Sequence, residues 1–421
     1  MVETISRYLY RLGLWTYALG VKLRALQGHQ KAKQWLAGRR DWQARLQAAL
    51  SPMAERTGPT YWMHVASLGE FEQGRPVLEA LRQEQPKAYI VLTFFSPSGY
   101  EPLRHYPGAD VVAYLPVDTP TNARRFLGLV QPDVALFVRY EFWYYYLREL
   151  HRRGVRTLLI AAGFRSSQAF FKWYGHLFRK MLSYFSDILV QTPRDAALLS
   201  TIGVPAQVGG DTRIDRVLAL TREEWSDAVI AAFTEQHRIW VAGSTWPPDE
   251  RRLLAYHRTM PSDYKLLIAP HELSDRHIRS LLHQYGQIAG RYTHLTPEEA
   301  RSKRVLILDR MGLLSRVYRY GDMAYVGGGF GKGIHSILEP AAYGLPVVFG
   351  PNYDKFNEAR ELVDRAGAIA LHPADALQLC LSYWAVDEAR KAVQAYIQEQ
   401  SGSVEKVMTV LRNGNVAQPP Q

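Results

Sequence analysis

The chain has 421 residues, a length that as a rough guide allows two to three domains of about 150 residues each. It is 47% hydrophobic and 22% charged, an ordinary globular composition that excludes wholesale disorder. The net charge of +11 favours an anionic partner such as a phosphorylated ligand, a nucleic acid or an acidic membrane surface, although a basic surface without a specific partner explains it too. The single cysteine, Cys380, excludes an internal disulfide and a Cys-rich metal site.

Residues 1–45 are predicted to form an N-terminal helix followed by a basic segment. The first 28 residues are apolar and aromatic, but their longest uncharged run, Leu12 to Val21, is shorter than the roughly 20 residues that cross a bilayer. No small-residue cleavage site follows, as a signal peptide would require. The pattern favours an amphipathic helix that lies on an anionic membrane surface, and the alternative is a helix that packs on its own domain. Four basic side chains interrupt the apolar residues: Arg7, Arg11, Lys22 and Arg24.

From Tyr61 onward, short apolar runs alternate with helical patterns, which is typical of βαβ units and parallel sheets. The first series of predicted strands is Tyr61–Ala66, Ala88–Thr93, Val111–Leu115, Val134–Val138, Thr157–Ala161 and Asp187–Gln191. The second series is Ile239–Gly243, Lys265–Ala269, Val305–Leu308, Met323–Val326, Val347–Phe349 and Ala368–Leu371. Between the two series lies Thr221–Gln236, a plausible linker region that is charged and helical in pattern. The whole pattern predicts an α/β protein with two Rossmann-like, doubly wound domains, residues 46–220 and 221–412, and a polar tail, residues 413–421.

Ligands of open α/β sheets bind beyond the carboxyl ends of the strands, and the strongest pattern there is Met323 to Gly350. Glycines let the backbone approach an anion closely, and a helix predicted to begin at about Ile334 offers its N-terminus to a phosphate. Glu339, about one and a half turns into that helix, is placed to bind ribose hydroxyls. The alternative is a glycine-rich turn with nothing bound, since neither a Rossmann fingerprint nor a P-loop is present. The glycines are Gly327, Gly328, Gly329, Gly331 and Gly333.

Charged residues also follow strands in the first half. Glu70 begins a helix and becomes a general base if burial raises its pKa, but its spacing alone favours a simpler role, stabilising the helix N-terminus. Glu141 is either an active-site group or a partner for Arg139 or another basic residue. Arg213 is well placed to meet a phosphate, or it is a surface arginine.

Polar residues of the second half allow similar alternatives. Ser244 and Thr245 follow a strand and either bind an anion or form a plain polar turn. A lone histidine such as His271 is more often structural, and no paired-histidine spacing indicates a metal site. Aromatic and basic residues mix in Ser166–Phe185, where core packing is the simplest explanation and a phosphorylated lipid is the alternative. No nucleic-acid partner is expected, because no nucleic-acid module signature accompanies the mixture.

Several motifs together resemble those of one known family. They are ASLGE (66–70), YEFW (140–143), VQTPRD (190–195), GDTRID (210–215), AGST (242–245) and VGGGFGKGIHSILEPAAYGLPVVFGP (326–351). In the same order they look like the motifs of the 3-deoxy-D-manno-octulosonic acid (Kdo) transferases, inverting GT-B glycosyltransferases of Gram-negative lipopolysaccharide synthesis. The likeness runs from about Tyr61 to Gly367. It implies two domains that face each other across a cleft, the acceptor domain first and the CMP-sugar domain second.

The resemblance implies transfer of Kdo from CMP-Kdo to a lipid A precursor with release of CMP. It places the protein at the cytoplasmic face of the inner membrane of a Gram-negative bacterium, with a membrane-associated N-terminus. The alternatives are another GT-B glycosyltransferase or epimerase that uses a different nucleotide sugar, and a non-catalytic protein that binds anionic lipid.

The resemblance also implies roles for particular residues. Glu70 matches the catalytic base, and Glu141 and Arg213 match transition-state groups, with Arg213 where lysine is usual. No metal or other cofactor is expected, because the phosphodiester of CMP-Kdo carries a single charge and no Asp-x-Asp pair is present. The predicted donor site combines Ser244, Thr245 and Gly333 with the positions that match family CMP contacts: Pro270, His271, Met311, Gly312, Leu313, Ser336, Ile337, Leu338 and Glu339.

Four of these positions depart from the family pattern. His271 replaces a common arginine, Leu313 replaces a usual glutamate, and Ser336-Ile337 replaces Asn-Pro. They indicate a divergent branch of the family.

Overall fold

A computed structural model describes residues 2–51, 58–372, 377 and 384–414 of the chain, and the side chains from residue 4 onward. Cys380 and most of the predicted polar tail, residues 413–421, lie outside this part. Within it, none of the helices combines the length and the apolar character needed to cross a membrane.

The first sheet consists of seven parallel strands in the order β3-β2-β1-β4-β5-β6-β7. Six of them agree closely with the predicted runs; β7 was not predicted, because its two residues are exposed and belong to no apolar run. The buried strands are apolar on both faces, as in a parallel sheet covered by helices. The strands are β1 Thr60–Val65, β2 Tyr89–Phe94, β3 Val111–Tyr114, β4 Val134–Val138, β5 Arg156–Ala162, β6 Asp187–Val190 and β7 Gln207–Val208.

Helices cover both faces of this sheet. On one face Trp62 and Phe137 pack with Phe126, and on the other face Met63 packs with Leu78. The helices that precede and connect the strands are α1 Val2–Leu26, α2 Gln30–Arg39, α3 Trp42–Leu50, α4 Leu68–Glu84, α5 Pro97–Leu103, α6 Pro120–Val130, α7 Tyr144–Arg152, α8 His176–Leu182 and α9 Pro193–Ser200, with a 3₁₀ turn at Ala169–Phe171.

The second sheet also has seven parallel strands, in the order β10-β11-β9-β8-β12-β13-β14. Only β10 was not predicted, since Ala-Gly-Arg is not an apolar run. The strands are β8 Arg238–Thr245, β9 Tyr264–Pro270, β10 Ala289–Arg291, β11 Val305–Ile307, β12 Met323–Val326, β13 Val347–Phe349 and β14 Ala368–Ala370.

The helices that accompany this sheet begin with α10, which leads into it from β7. They are α10 Thr212–Arg222, α11 Ala228–Thr234, α12 Pro247–His257, α13 Asp275–Tyr285, α14 Pro297–Ser302, α15 Leu314–Val317, α16 Leu338–Ala342, α17 Asn357–Asp364 and α18 Val386–Gln400. Short 3₁₀ turns occur at Gly286–Ile288, Tyr292–His294 and Tyr318–Tyr320. Two parallel sheets with helical connections confirm the predicted α/β class with two doubly wound halves.

The chain divides into two compact units, and the division differs from the predicted one. The first unit holds the described residues up to Asp215 and from Gly402 onward, and the second unit is Arg216–Ser401. The segment 1–45, predicted as a separate part, belongs to the first unit. The predicted linker region, Thr221–Gln236, contains the end of α10 and the whole of α11, in agreement with its helical pattern.

The last helix, α19 (Ser403–Asn413), returns to the first unit rather than ending the second, as the range 221–412 predicted. The carboxylate of Asp215 accepts hydrogen bonds from the backbone N–H groups of Gly402 and Val404, both at 2.6 Å. The guanidinium of Arg156 donates to the carbonyl oxygen of Leu411 at 3.0 Å. Met408 is buried against the core beside α4, so this return completes the first unit.

Candidate active site

Glu70 lies in the first turn of α4, directly after the carboxyl end of β1. Its carboxylate turns back toward the strand, and Oε2 accepts a hydrogen bond from the backbone N–H of Ala66 at 2.6 Å. The side chain is half-buried. This carboxylate therefore stabilises the helix N-terminus, as the spacing predicted, but it does so from a partly desolvated position.

Burial and, second to it, the negative charge of Glu141 raise the pKa of Glu70 to about 7. The N–H of Ala66 and the positive charge of Arg139 offset part of this increase. An exposed acid at a helix N-terminus would instead have a lowered pKa, because the helix dipole favours the charged form. A carboxyl group that is about half ionised at neutral pH suits proton transfer to and from a hydroxyl.

Glu141 follows β4, the neighbour of β1 in the sheet, and it is buried. Its partner is not Arg139 but a different basic residue: His64 Nε2 lies 2.8 Å from Glu141 Oε2. The indole N–H of Trp143 donates to the same oxygen at 2.7 Å. Sequence reasoning assigned no role to His64; the available signal was a histidine in a buried strand two residues before the ASLGE motif.

Arg139 is the first residue after β4, and its backbone has a left-handed φ of 66°. Non-glycine residues held in such a conformation are typical of functional sites. Its buried Nε has no hydrogen-bond partner among the described residues, and its guanidinium lies 5.1 Å from the ring centre of Tyr140. The positive charge of Arg139 lowers the pKa of both Glu70 and Asp211, so this side chain acts electrostatically on two carboxylates.

Arg213, in the first turn of α10, is paired with a carboxylate of its own loop. Its Nη2 lies 2.5 Å from Asp211 Oδ2 and its Nε lies 3.0 Å from Asp211 Oδ1. Burial disfavours the charged form of Asp211, yet Arg213 holds the pKa of that carboxyl below its usual value. Arg213, which was predicted to face a phosphate, is therefore held in place by the buried carboxylate of Asp211, which partly neutralises its positive charge.

In the second unit, the loops after β9, β8 and β12 bring several predicted donor-site residues together. The backbone N–H of His271 donates to the carbonyl oxygen of Thr245 at 2.9 Å, and the N–H of His335 donates to that of Gly327 at 3.1 Å. The exposed imidazole of His271 stacks on two rings, 4.5 Å from Trp246 and 4.6 Å from His335, and the indole N–H of Trp246 donates to His335 Nε2 at 3.1 Å. This cluster of three aromatic rings was not predicted.

Thr245 is buried, and its hydroxyl donates to Glu250 Oε1 at 3.1 Å. The same carboxylate oxygen lies 2.9 Å from His277 Nε2. The hydroxyl hydrogen of Thr245 therefore forms a hydrogen bond within the protein. Ser244 next to it has a left-handed φ of 53°, which turns the chain sharply at the end of β8.

The helix predicted from about Ile334 is wrong in its start and length. Helix α16 runs only from Leu338 to Ala342, so Glu339 is its second residue. The N–H of Ile334 donates to the carbonyl oxygen of Asn352, and the N–H of His335 binds the neighbouring glycine loop. These bonds hold the segment as a loop, and the predicted phosphate position at Ile334 is not a helix N-terminus.

Several glycines of the Gly-rich loop have a packing reason. A Cβ at Gly327 would clash with the carbonyl oxygen of Ser244, and one at Gly329 would lie 2.6 Å from the nitrogen of Gly350. The N–H of Gly328 donates to the buried carboxylate of Asp249 at 3.0 Å. The prediction that the glycines admit a phosphate is untested, but close approach of three loops already requires some of them.

Other predicted donor residues differ in what they present. Pro270 ends β9 and is buried, and the side chains of Ile337 and Leu338 are also buried, so these three offer only backbone atoms to a ligand. Met311, Ser336 and Gly312 (φ 81°) are exposed, while Leu313 and Gly333 (φ 143°) are half-buried.

Glu339 is half-buried beside a cation of its own unit. Burial raises the pKa of Glu339, and the positive charge of Arg216 counteracts the increase. Among the described residues, no group of three or more His, Cys, Asp or Glu side chains is arranged to hold a metal ion. The expectation that no metal takes part stays a prediction.

Comparisons with known proteins bear on this arrangement. The sequence profile of the family described as "3-Deoxy-D-manno-octulosonic-acid transferase (kdotransferase)" matches residues 40–216. The chain is 28% identical over 370 residues to the 3-deoxy-D-manno-octulosonic acid transferase of Haemophilus influenzae, covering 83% of this chain and 86% of the relative. It is 28% identical over 314 residues to the enzyme of the same name from Aquifex aeolicus, covering 73% and 80%.

Solved structures resemble the fold at low sequence identity. The UDP-GlcNAc 2-epimerase of Neisseria meningitidis, bound to UDP-GlcNAc, superposes with a TM-score of 0.59 at 13% identity, covering 85% of this chain and all of that one. Acinetobacter baumannii MurG gives 0.58 at 11% identity, with coverage of 84% and 100%. The calicheamicin glycosyltransferase CalG4 gives 0.56 at 11% identity, with coverage of 86% and 100%.

Two seven-stranded parallel sheets and these structural neighbours define the fold as GT-B. The family profile and the curated relatives indicate that the protein is a glycosyltransferase. They also make the assignment more specific. The profile match over residues 40–216 and the 28% identity to curated relatives over most of the chain support a 3-deoxy-D-manno-octulosonic acid (Kdo) transferase.

Proposed function

We propose that this chain transfers Kdo from CMP-Kdo to a hydroxyl group of a lipid A precursor, with release of CMP. The names of the curated relatives support the transferred sugar. The observation that carries the chemical step is Glu70, a carboxylate with a pKa of about 7 at the carboxyl end of a central strand.

In this proposal Glu70 acts as the general base. It takes the proton from the acceptor hydroxyl while that oxygen forms a bond to the anomeric carbon of Kdo. The bond between the anomeric carbon and the phosphate oxygen breaks, and its electron pair leaves with CMP. Attack on the face opposite the phosphate inverts the anomeric configuration. A base with a pKa near the working pH combines a useful ionised fraction with sufficient proton affinity.

Glu141 and Arg213 act on the charges that develop during transfer. As phosphate departs, the sugar ring gains positive charge, which a carboxylate such as Glu141 stabilises. Arg213 offers a planar guanidinium to the departing phosphate, with its orientation fixed by Asp211. Arg139 brings a second cation, and its unpaired Nε supports contact with an anionic group of either substrate.

The second unit holds CMP in this proposal. The exposed ring of His271 offers a stacking surface, and the loops of residues 311–313 and 333–336 offer exposed backbone groups. Glu339 accepts hydrogen bonds from the ribose hydroxyls, for which its partly buried carboxylate is suited. No base-edge contact that selects cytidine over uridine was predicted, so donor choice must be measured.

Association with a membrane is the remaining part of the proposal. Helix α1 is held to the first unit by Tyr10, whose hydroxyl donates to the buried carboxylate of Asp118 at 2.6 Å. Its other side forms the exposed α1 row, eight apolar side chains at helical spacing that remain in solvent. With the neighbouring basic residues, such a surface suits the cytoplasmic face of an anionic inner membrane. The row consists of Ile5, Tyr8, Leu9, Leu12, Trp15, Leu19, Leu23 and Leu26.

The test is product formation with defined substrates. The full-length protein is incubated in mixed micelles with a tetra-acylated lipid A precursor and either CMP-Kdo or UDP-GlcNAc, and products are identified by mass spectrometry. We expect an acceptor heavier by one Kdo residue or more, together with CMP, and no product from UDP-GlcNAc. Product from UDP-GlcNAc alone would replace this function by that of another GT-B enzyme.

Metal removal gives an independent prediction. The phosphodiester of CMP-Kdo carries one negative charge, and the departing CMP, a phosphate monoester, gains a second one, which arginine side chains can stabilise without a divalent cation. We expect dialysis against EDTA to leave the rate of CMP release within about twofold of the untreated enzyme. A loss that added Mg²⁺ or Mn²⁺ restores would contradict this.

A further inference from the structure

His64 is the central polar residue of the network around Glu141. It lies on β1 with no exposed surface, and both ring nitrogens have partners. Nε2 lies 2.8 Å from Glu141 Oε2, and Nδ1 lies 2.8 Å from the hydroxyl oxygen of Thr93. Thr93 is the direct neighbour of His64 on β2, so the sheet register fixes this contact.

The protons in this network can be placed from the distances. The indole N–H of Trp143 donates to Glu141 Oε2, its nearer acceptor at 2.7 Å. A further proton is required between His64 Nε2 and the same oxygen, because two lone pairs at 2.8 Å would repel. Nε2 therefore carries the hydrogen and donates it to Glu141.

On the other side of the ring, Nδ1 faces both oxygens of Thr93, the hydroxyl at 2.8 Å and the backbone carbonyl at 3.1 Å. A bare Nδ1 accepts from the hydroxyl and a protonated Nδ1 donates to the carbonyl, and the hydrogen on Nε2 is required by Glu141 in either case. The hydroxyl oxygen of Thr93 accepts from the indole N–H of Trp62 at 2.8 Å. Its own hydrogen can then point to His64 Nδ1 at 2.8 Å rather than to the more distant carbonyl of Met63 at 3.4 Å. The chain of donors runs from Trp62 through Thr93 and His64 to Glu141, and every member is satisfied.

We propose that His64 is a positioning residue of the transfer reaction, which fixes the Glu141 carboxylate by donating the Nε2 hydrogen to it. This inference rests on the proposed function and deepens it. The ring is fully buried and is held on its other side by Thr93, so it acts on the substrates only through Glu141. Since the charge of Glu141 also acts on Glu70, the orientation that His64 imposes influences the base as well.

Two substitutions separate this role from simple packing. In His64→Gln the amide nitrogen reaches about as far as Nε2 and can still donate to Glu141, whereas in His64→Asn the amide reaches only as far as Nδ1. Both remove the imidazole from the core. A purely structural histidine would make the two variants similar, and a donor at Nε2 makes them differ. His257→Asn is the control, because this ring packs edge-on against Tyr285 and its Nε2 has no hydrogen-bond partner in the described part of the chain.

The measurement is kcat and KM for CMP-Kdo and for the lipid A precursor across pH 5.5–9, with the melting temperature of each variant. We expect His64→Asn to lose about 10²-fold in kcat, the typical effect of misplacing an active-site group by about 1 Å. KM for CMP-Kdo should stay within about threefold, and the acid limb of the pH profile should shift. His64→Gln should recover most of the lost kcat. Equal kcat in the two variants, whether high or low, would overturn the proposal.

Two further measurements keep the proposal testable if a His64 variant does not fold. Thr93→Val removes the hydroxyl that faces Nδ1 while leaving the ring in place, and we expect a smaller loss of kcat in the same direction. The ¹⁵N spectrum of labelled wild-type protein should show His64 protonated on Nε2. An unchanged kcat in Thr93→Val, or a bare Nε2, would overturn the proposal. An inactive wild-type enzyme would instead reject the proposed function, since the tautomer can be determined without turnover.

Discussion

At the scale of single residues, Glu70 combines helix capping with a raised pKa. Its carboxylate accepts the N–H of Ala66 as an N-terminal acid should, yet burial and the charge of Glu141 raise the pKa of Glu70 to about 7. In the unfolded chain a glutamate has a pKa of about 4.3. Between these two pKa values the native state binds more protons at Glu70 than the unfolded state does. The stabilisation that protonated Glu70 contributes to the folded state is therefore lost as the pH rises through about 7.

The neighbours of Glu70 should tune the pH dependence of catalysis in opposite directions. Glu141 raises the pKa of Glu70, so Glu141→Gln should move the acid limb of the kcat/KM profile to lower pH. Arg139 lowers that pKa, so Arg139→Gln should move the limb to higher pH. The wild-type limb should have its midpoint near pH 7.

The control for this pair is Glu235→Gln, which removes an exposed carboxylate paired with Arg301 in the second unit. Its profile should follow that of the wild type. Midpoints that do not move in the Glu141 and Arg139 variants, whatever their maximal rates, would show that these charges do not act on the base.

The sequence predicted which acids follow β1 and β4, but it could not predict their partners. The sequence left Glu141 with two equally supported roles, an active-site group or the partner of a basic residue. In the structure its carboxylate contacts His64, 77 positions earlier in the chain. This contact exists because β1 and β4 are adjacent and in register. Residue order alone contains no such register, so long-range partners were the least predictable part of the site.

At the scale of elements, strands were predictable and short helices were not. Buried parallel strands appear as continuous apolar runs, which β7 and β10 lack. The glycine-rich segment was predicted to enter a helix at Ile334, but backbone bonds to Asn352 and Gly327 delay the helix to Leu338. Such bonds depend on loops from other strands and are not visible in local patterns.

Helix α1 packs on its own domain with one side and leaves another side exposed. One side packs on the first unit, with Tyr10 bound to Asp118 and the ring of Tyr17 5.9 Å from that of Trp35. The other side presents the exposed α1 row to solvent. A helix that packs on its own domain and also offers an apolar surface fits a peripheral membrane contact.

The exposed α1 row should determine vesicle binding. We expect Leu12→Glu combined with Trp15→Glu to weaken co-sedimentation with vesicles rich in anionic phospholipid by at least about tenfold, because two apolar side chains no longer enter the interface. Turnover of a water-soluble acceptor analogue should be unaffected. Ile288→Glu, an equivalent change at a partly exposed residue of the second unit, should bind like the wild type. Equal binding by all three proteins would exclude this row as the contact.

At the scale of the whole molecule, the return of α19 is the feature that the domain prediction missed. The helix buries the apolar side chains of Val407, Met408 and Leu411. The sequence could not show that the partner is the first unit, about 190 positions before α19 along the chain at Asp215. The first unit is consequently completed only by the last described residues.

This arrangement predicts a stability effect of a conservative core truncation in α19. Met408→Ala removes a buried side chain from the first unit and should cost about 2 to 5 kcal/mol of unfolding free energy. Lys406→Ala, at an exposed position of the same helix, should change it by no more than about 0.5 kcal/mol. Denaturant unfolding followed by circular dichroism measures both, and equal values would contradict the packing of α19.

The central claim is that Glu70 is the base of a Kdo transfer, and the rate of CMP release from CMP-Kdo with a lipid A precursor tests it most directly. Wild type is compared with Glu70→Gln and Glu70→Ala at pH 8. Glu70→Gln can still accept the N–H of Ala66 and should melt no lower than the wild type, since it carries no buried charge. We predict a loss of about 10²–10⁴-fold in kcat for both variants with an unchanged Kd for CMP. Folded variants that release CMP at the wild-type rate would contradict the account.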